Sequence, residues 1–165
     1  MCGLAGFILQ GSYEESDLDS LNHKMISKIV HRGPDDLDVW SDHALGIGLS
    51  HCRLSIQDLS SAGSQPMHSE SSRYVIVFNG EIYNFKTLYA IMGIDPTTGS
   101  DCEVIIRMYQ KYGFEYTISM LDGVFSIILY DICKLTDEPK LFIARDPFGV
   151  RPLWRLEKIV DSNNN

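Results

Sequence analysis

Apolar, strand-like segments outnumber helical ones along this chain, and each kind occurs in blocks rather than in alternation. Blocks of this kind favour sheets that are covered by helices on the outside over a regular strand–helix repeat. The predicted strands are Gly3 to Leu9, Ala44 to Ile56, Tyr74 to Phe78, Val124 to Tyr130 and Leu141 to Ala144, with Arg151 to Leu156 as a further candidate.

Helical spacing of apolar residues predicts helices at 14–31, after Ser100 and at 115–121. Ser16 is expected to cap the first helix, which should end at Gly33-Pro34. Ser100, followed three residues later by Glu103, matches a capping box, and Gly113 is expected to close that second helix.

Composition points to one globular domain with a reduced, cytoplasmic location. The chain has 165 residues, a net charge of -8 and 44% hydrophobic residues. The acidic balance argues against nucleic acid or an anionic membrane as partner, and no apolar run approaches the roughly 20 residues that span a bilayer. We expect a domain over residues 1–160 and a polar, flexible tail at 161–165. The four cysteines lack metal-site or disulfide spacing and are expected, apart from the first, to be small core residues: Cys2, Cys52, Cys102 and Cys133.

Cys2 directly follows Met1, and aminopeptidases remove an initiator Met when the next side chain is small. The mature chain would then begin with a residue that carries both a thiol and a free α-amine. A free α-amine has a pKa of about 7.7–8.0 and can accept a proton near neutral pH. N-terminal Thr enzymes activate their nucleophile with their own amine in the same way. A Met-Cys start is also common by chance, so its position alone does not establish this chemistry.

Five further segments accompany Cys2, and their order and spacing carry a family resemblance. They are His31-Arg32-Gly33-Pro34-Asp35, Arg53-Leu54-Ser55-Ile56, Asn79-Gly80-Glu81-Ile82-Tyr83-Asn84, Gly99-Ser100-Asp101 and the run from Arg145 to Leu153. Together they resemble the class II glutamine amidotransferase domain, most of all the glutaminase half of glutamine-hydrolysing asparagine synthetase. The resemblance extends from Met1 to about Trp154. It implies an α+β fold, an αββα sandwich of two packed antiparallel sheets between helical layers.

The resemblance also implies catalytic roles. Cys2 would attack the side-chain amide of glutamine, form a γ-glutamyl thioester and release ammonia, while its α-amine moves the proton. Asn79, through its side-chain amide, and Gly80, through its backbone N–H, would form the oxyanion hole. Taken alone, Asn-Gly favours the tight turn of a hairpin, and only its occurrence beside Cys2 and Arg53 favours the oxyanion hole.

Substrate recognition is implied at five other positions. Arg53 would hold the glutamine α-carboxylate with its planar fork, and Asp101 would pair with the α-ammonium. Main-chain groups near Leu54 and Ile56, together with Glu81, would line the same pocket. Without the resemblance, Arg53 is interpreted as a solvated arginine at a strand end and Asp101 as charge compensation at a helix N-terminus.

Other polar residues favour structural roles. Arg32 and Asp35 are expected to order the loop over the site, and the turn at 145–149 is expected to join two strands. No spacing suggests a metal site. Three histidines lie in polar stretches and carry no such signal: His31, His51 and His68.

Members of the resembled family carry a second domain that uses the ammonia, and in asparagine synthetase it binds ATP through a Ser-Gly-Gly-x-Asp-Ser loop. No such loop occurs in the sequence. We therefore expect glutamine as the substrate, no cofactor in this chain, ATP and Mg²⁺ only in an absent synthetase domain, and a synthetase partner in trans. Two alternatives remain open: a non-catalytic remnant that binds glutamine or a partner, and amidation of some other acceptor.

Overall fold

Two antiparallel sheets pack face to face between helices in a computed structural model that describes residues 2–132 and 138–157. The first sheet has the order β1 (Gly3–Ile8), β3 (Ile47–Arg53), β2 (Asp36–Asp42). The second has the order β4 (Met67–His68), β5 (Tyr74–Ile82), β6 (Gly123–Asp131), β7 (Lys140–Arg145). The helices are α1 (Glu15–Ser27), α2 (Phe85–Met92), α3 (Cys102–Tyr112) and α4 (Phe114–Met120).

The αββα sandwich is confirmed by where these helices lie. The first helix, α1, packs against β1, β2 and β3 on the outer face of the first sheet. The Nδ2 of Asn22 in α1 donates to the Leu49 carbonyl oxygen of β3 at 3.3 Å. On the opposite side of the molecule, α3 packs against β5 and contacts both α2 and α4.

Alternation along the two central strands separates the inner face of each sheet from its helix-covered face. On β3, Ile47 and Leu49 enter the apolar layer between the sheets, where Val75 and Val77 of β5 meet them. The even-numbered residues of β5, such as Ile76, point into a second core against α2 and α3. Odd-numbered residues of both strands therefore face each other across the inter-sheet space.

The core under α2 and α3 fixes the position of β5. Ile76, Leu88, Ile105 and Leu129 are fully buried there. Truncation of a fully buried Leu or Ile to Ala usually destabilises a protein by about 2–5 kcal/mol. Because β5 is packed this tightly, the side chains near its C-terminal end have little conformational freedom.

Some sequence predictions of element bounds are wrong. The first helix begins at Glu15, one residue before the predicted cap, because Glu14 and Asp17 form the capping box. It ends at Ser27, and a separate 3-10 turn follows at Val30–Arg32. The strands β2 and β4 and the helix α2 were not predicted, and residues 151–156 form no strand.

The predicted capping box of α3 is also wrong. The Ser100 Oγ does accept the Cys102 N–H at 3.2 Å. The Glu103 carboxylate, however, turns to the preceding loop and accepts the backbone N–H groups of Thr97 and Thr98 at 3.0 and 2.8 Å. Gly113 does follow the last residue of α3.

Cys52 and Cys102 are fully buried, as expected for small core residues. Cys133 and the predicted tail at 161–165 lie outside the described residues. Across the described ranges, no helix is long and apolar enough to cross a membrane.

Candidate active site

Cys2 lies at the open end of the first sheet, beside the last residues of β3. The antiparallel register pairs Gly3 with Cys52, so the chain enters β1 next to Arg53 and Leu54. The Leu54 backbone N–H points at the Cys2 Sγ at 3.4 Å, and the thiol faces the Leu54 carbonyl oxygen at 3.7 Å. The Leu54 main-chain groups that were predicted to line the pocket therefore contact the thiol directly.

The segment after α1 holds Cys2 from the other side. Arg32 Nε donates to the Cys2 carbonyl oxygen at 3.1 Å. Asp35 Oδ2 accepts the Ser55 N–H at 2.7 Å, and the Asp35 N–H donates to the Arg53 carbonyl oxygen at 3.0 Å. These bonds agree with the loop-ordering role predicted for Arg32 and Asp35.

Arg53 is not a solvated arginine, since only 8% of it is exposed. Its Nη1 donates to the Ser60 carbonyl oxygen at 2.8 Å, and its Nη2 donates to the Asp58 carbonyl oxygen. A Cβ at Gly63 would collide with the guanidinium, so a larger residue there would displace the Arg53 head group. A guanidinium has five N–H donors in all, which leaves donors for an incoming carboxylate.

Asp58 connects the loop around Arg53 to the loop before α3. Its Oδ2 accepts the Gly99 N–H at 2.9 Å, while its Oδ1 accepts the Ser60 N–H at 2.8 Å. An open cleft of about 390 Å³ lies between these loops, lined by residues that include Asp58, Ser60 and Thr98. None of the predicted catalytic residues lines it.

Asn79 and Gly80 are not a hairpin turn. They lie inside β5, which continues to Ile82 and pairs with β6 throughout, with Asn79 opposite Ser126 and Gly80 opposite Phe125. A Cβ at Gly80 would collide with the Val124 carbonyl oxygen, so the close approach of β6 requires glycine there.

The Asn79 side chain belongs to the face of β5 that looks toward the first sheet. It is 7% exposed and forms no hydrogen bond with the described part of the chain. Gly80 is two residues before Ile82, so in an extended strand the N–H groups of both residues point to the same side. The Ile82 N–H points away from β6 and binds the Asp101 carboxylate. The Gly80 N–H therefore also points away from β6. Both donors predicted for the oxyanion hole are thus free of the ladder.

Asp101 is buried, and its Oδ2 accepts the Ile82 N–H at 2.7 Å. Burial raises its pKa to about 6, although this backbone hydrogen bond acts in the opposite direction. Burial also raises the pKa of the adjacent Cys102 thiol, and the charges of Asp101 and Cys2 add to that effect.

Two predicted pocket residues are more peripheral. Ile56 is 72% exposed. Glu81 is also exposed, and its Oε1 accepts a hydrogen bond from Gln57 Nε2 at 3.4 Å.

The turn at 145–149 is organised by Asp146, which is 1% exposed. Its carboxylate accepts four backbone N–H groups at 2.9–3.2 Å, those of Phe125, Phe148, Val150 and Arg151. Burial would raise the pKa of Asp146, but these hydrogen bonds outweigh it and the pKa is lowered. The structural role predicted for this turn agrees with those contacts, but the prediction that it joins two strands is wrong, because β7 precedes the turn and residues 151–157 form no strand.

Sequence reasoning missed three residues around the site. Asp58 links the two loops, while Gln65 and His51 both bind the backbone of Phe78. Only His51 had a usable signal, because its position two residues before Arg53 places both side chains on one face of a strand.

Two packed antiparallel sheets between helical layers, with a cysteine at the start of a strand, define the architecture of N-terminal-nucleophile hydrolases. The chain belongs to the family described as glutamine amidotransferase domain, which it matches over residues 1–162. The domain is thus a glutamine amidotransferase, and it is similar to the N-terminal domains of asparagine synthetases.

Three curated relatives show how far the similarity extends. A glutamine-hydrolysing asparagine synthetase of Gallus gallus is 40% identical over 162 residues, which cover 94% of this chain and 26% of that protein. A second, from Bacillus subtilis (strain 168), is 38% identical over 95% of this chain and 20% of its own length. The protein named amidase chry2 of Gibberella zeae is 34% identical over 93% of this chain and 24% of its own length. The chain therefore spans about a quarter or a fifth of these relatives.

Proposed function

We propose that this chain hydrolyses glutamine to glutamate and ammonia with Cys2 as its nucleophile. The observation that carries the proposal is the Cys2 Sγ at 3.4 Å from the Leu54 N–H, beside the buried Arg53. The family supplies glutamine as the substrate.

The first half-reaction forms a thioester. The Cys2 thiolate attacks the side-chain amide carbon of glutamine, and the α-amine of Cys2 takes the thiol proton. The negative charge on the amide oxygen is met by the Asn79 side chain and the Gly80 N–H. The α-ammonium then returns its proton to the leaving nitrogen, the C–N bond breaks, and ammonia departs.

The second half-reaction restores the enzyme. A water molecule gives a proton to the Cys2 α-amine and attacks the thioester carbon. The C–S bond breaks, glutamate leaves, and the thiol regains its proton. Neither half-reaction needs a metal or an organic cofactor.

Recognition of free glutamine is assigned to Arg53 and Asp101. The remaining Arg53 donors would bind the α-carboxylate, and the Asp101 carboxylate would bind the α-ammonium. A pair of opposite charges at fixed positions selects a zwitterion over a glutamine side chain within a peptide. Support comes from the burial of both residues and from the loop contacts that hold them.

The ammonia is proposed to serve a synthetase that lies outside these 165 residues. The named asparagine synthetases are far longer than the matched region, and the Ser-Gly-Gly-x-Asp-Ser loop is missing from the printed sequence. The chain incubated alone with aspartate, ATP and glutamine should form no asparagine. Asparagine formed under those conditions would refute this division of labour.

The hydrolysis is tested by ammonia release from glutamine, measured for the wild-type chain and for Cys2→Ala. The wild type should release ammonia and glutamate in equal amounts, whereas Cys2→Ala should release neither yet remain folded by circular dichroism. Activity of Cys2→Ala near the wild-type rate would exclude the mechanism. A wild-type chain that binds glutamine without turnover would instead support the non-catalytic alternative.

A further inference from the structure

The outer edge of β5 has an unusual set of partners next to Asn79. On that side, β4 pairs with only Val75 and Ile76. Farther along, side chains replace a strand: Gln65 binds Phe78, and Asp101 binds Ile82. The Gly80 N–H points to the same side of the strand and lies between Phe78 and Ile82, whose N–H groups both bind side chains.

His51 is the second side chain at Phe78. It is 1% exposed, and its Nε2–H donates to the Phe78 carbonyl oxygen at 3.1 Å. The Phe78 N–H donates to Gln65 Oε1 at 2.6 Å. The Phe78 carbonyl that His51 binds belongs to the peptide that joins Phe78 to Asn79. His51 therefore holds the peptide that sets the position of the Asn79 side chain.

The chemistry of His51 fits a fixed donor rather than a base. Its pKa is lowered to about 4, mainly by burial, with the charge of Arg53 acting in the same direction and the hydrogen bond to Phe78 opposing them, so the ring is neutral at physiological pH. The second ring nitrogen, Nδ1, is buried and has no hydrogen-bond partner in the described part of the chain. A buried polar atom without a partner reduces stability. An aliphatic side chain here would avoid that penalty but could not hold the Phe78 carbonyl.

We propose that His51 is the positioning residue of the oxyanion hole, fixing the Phe78–Asn79 peptide from β3 so that the Asn79 amide and the Gly80 N–H keep their places. The proposal rests on the proposed function of this site. His51 shares the inner face of β3 with Arg53, so one strand carries both the substrate arginine and the support for the oxyanion donors.

Small displacements at such donors have large effects on rate. An oxyanion-hole donor acts on charge that develops in the transition state, and removal of one commonly lowers kcat by about 10²–10³. A misplacement of about 1 Å can cost about 10². Loss of the His51 contact should therefore reduce kcat while the glutamine affinity, set by Arg53 and Asp101, changes little.

The test compares two substitutions at one position. His51→Gln keeps an N–H at a similar distance from the Cβ, whereas His51→Leu keeps the bulk without the donor. Leu49→Ala is the matched control, because Leu49 is buried on the same face of β3 but belongs to the apolar layer. Steady-state glutaminase kinetics are measured per folded molecule.

We expect His51→Leu to lower kcat at least tenfold with KM within about threefold of wild type. His51→Gln should recover most of that loss, and Leu49→Ala should keep the wild-type kcat. Equal kcat losses in His51→Leu and Leu49→Ala, no recovery in His51→Gln, or a change in KM alone would overturn the proposal. If His51→Leu does not fold, Gln65→Leu carries the test, because it frees the other edge group of Phe78.

An independent measurement separates this proposal from the proposed function. Amide hydrogen exchange at Asn79, which pairs with Ser126 in the β5–β6 ladder, reports the position of the peptide without any turnover. His51→Leu should exchange the Asn79 amide at least tenfold faster than Leu49→Ala does. Equal exchange rates would overturn the positioning role, whereas a wild-type chain without glutaminase activity would overturn the function alone.

Discussion

The Ile82 N–H donates a 2.7 Å hydrogen bond to the Asp101 carboxylate, which ties the start of α3 to the strand that carries Asn79 and Gly80. One carboxylate thus belongs both to the proposed ammonium site and to the edge of the proposed oxyanion hole. A substitution of Asp101 should therefore affect both glutamine binding and the position of the oxyanion-hole residues.

Glutamine binding should weaken as the pH falls through about 6. Burial raises the pKa of Asp101 to about 6, so its carboxyl becomes neutral below that pH and no longer pairs with the α-ammonium. For a site that requires the anion, the affinity falls about tenfold for each further pH unit. Calorimetric titration of glutamine into the Cys2→Ala chain between about pH 5 and 8 measures this. Asp101→Asn is the control and should bind weakly at every pH. A constant affinity in the chain that keeps Asp101 would contradict the ammonium assignment.

Loss of either charge of the clamp should weaken glutamine binding by about 2–5 kcal/mol, since the remaining buried charge is left without its partner. Arg53→Ala and Asp101→Ala test this, with exposed Arg155→Ala as the control. Arg53→Lys should recover only part of the loss, because an ammonium lacks the fork that meets a carboxylate. Glutamine affinities that match in wild type, Arg53→Ala and Asp101→Ala would show that the clamp is misassigned.

Asn79→Ala should lower kcat by about 10²–10³ and leave the glutamine Kd nearly unchanged, because its amide acts on charge that forms after binding. Steady-state kinetics together with a direct binding measurement separate the two effects. A loss confined to binding would place Asn79 in substrate recognition instead.

Asp146→Asn should destabilise the fold by roughly 2–3 kcal/mol, because an amide cannot accept all four of the N–H groups that the carboxylate holds. Urea unfolding followed by tryptophan fluorescence measures the free energy of unfolding. Exposed Asp95→Asn is the matched control and should fall within about 0.5 kcal/mol of wild type. A similarly small change in Asp146→Asn would remove the structural role of the turn.

The strands that bear the site could be predicted from their apolar runs, but other elements, among them β2 and α2, could not. β2 has the alternation of a strand only over its first four residues, Asp36 to Val39, and the alternation breaks at Trp40. In the described part of the chain it lies at the edge of its sheet, and its pairing with β3 keeps it extended beyond that break. The short helix α2 has eight residues, too few for a clear helical period.

Two local sequence motifs predicted the wrong structure because contacts with other parts of the chain determine the conformation there. Asn79-Gly80 has the sequence of a hairpin turn, but its pairing with Ser126 and Phe125 keeps it extended. Glu103 has the spacing of a capping box, yet the loop ahead of the helix takes its carboxylate. The family resemblance selected Arg53 and Asp101, whereas no local pattern marked Gln65 or Asp58.

The most direct measurement of the central claim is ammonia release before and after removal of a cleavable N-terminal extension that precedes Cys2. The mechanism requires the Cys2 α-amine as the base, and the uncleaved extension converts that amine to an amide that cannot accept a proton. The account predicts negligible glutaminase activity before cleavage and full activity once intact mass shows Cys2 as the first residue. Equal rates of ammonia release before and after cleavage would contradict it.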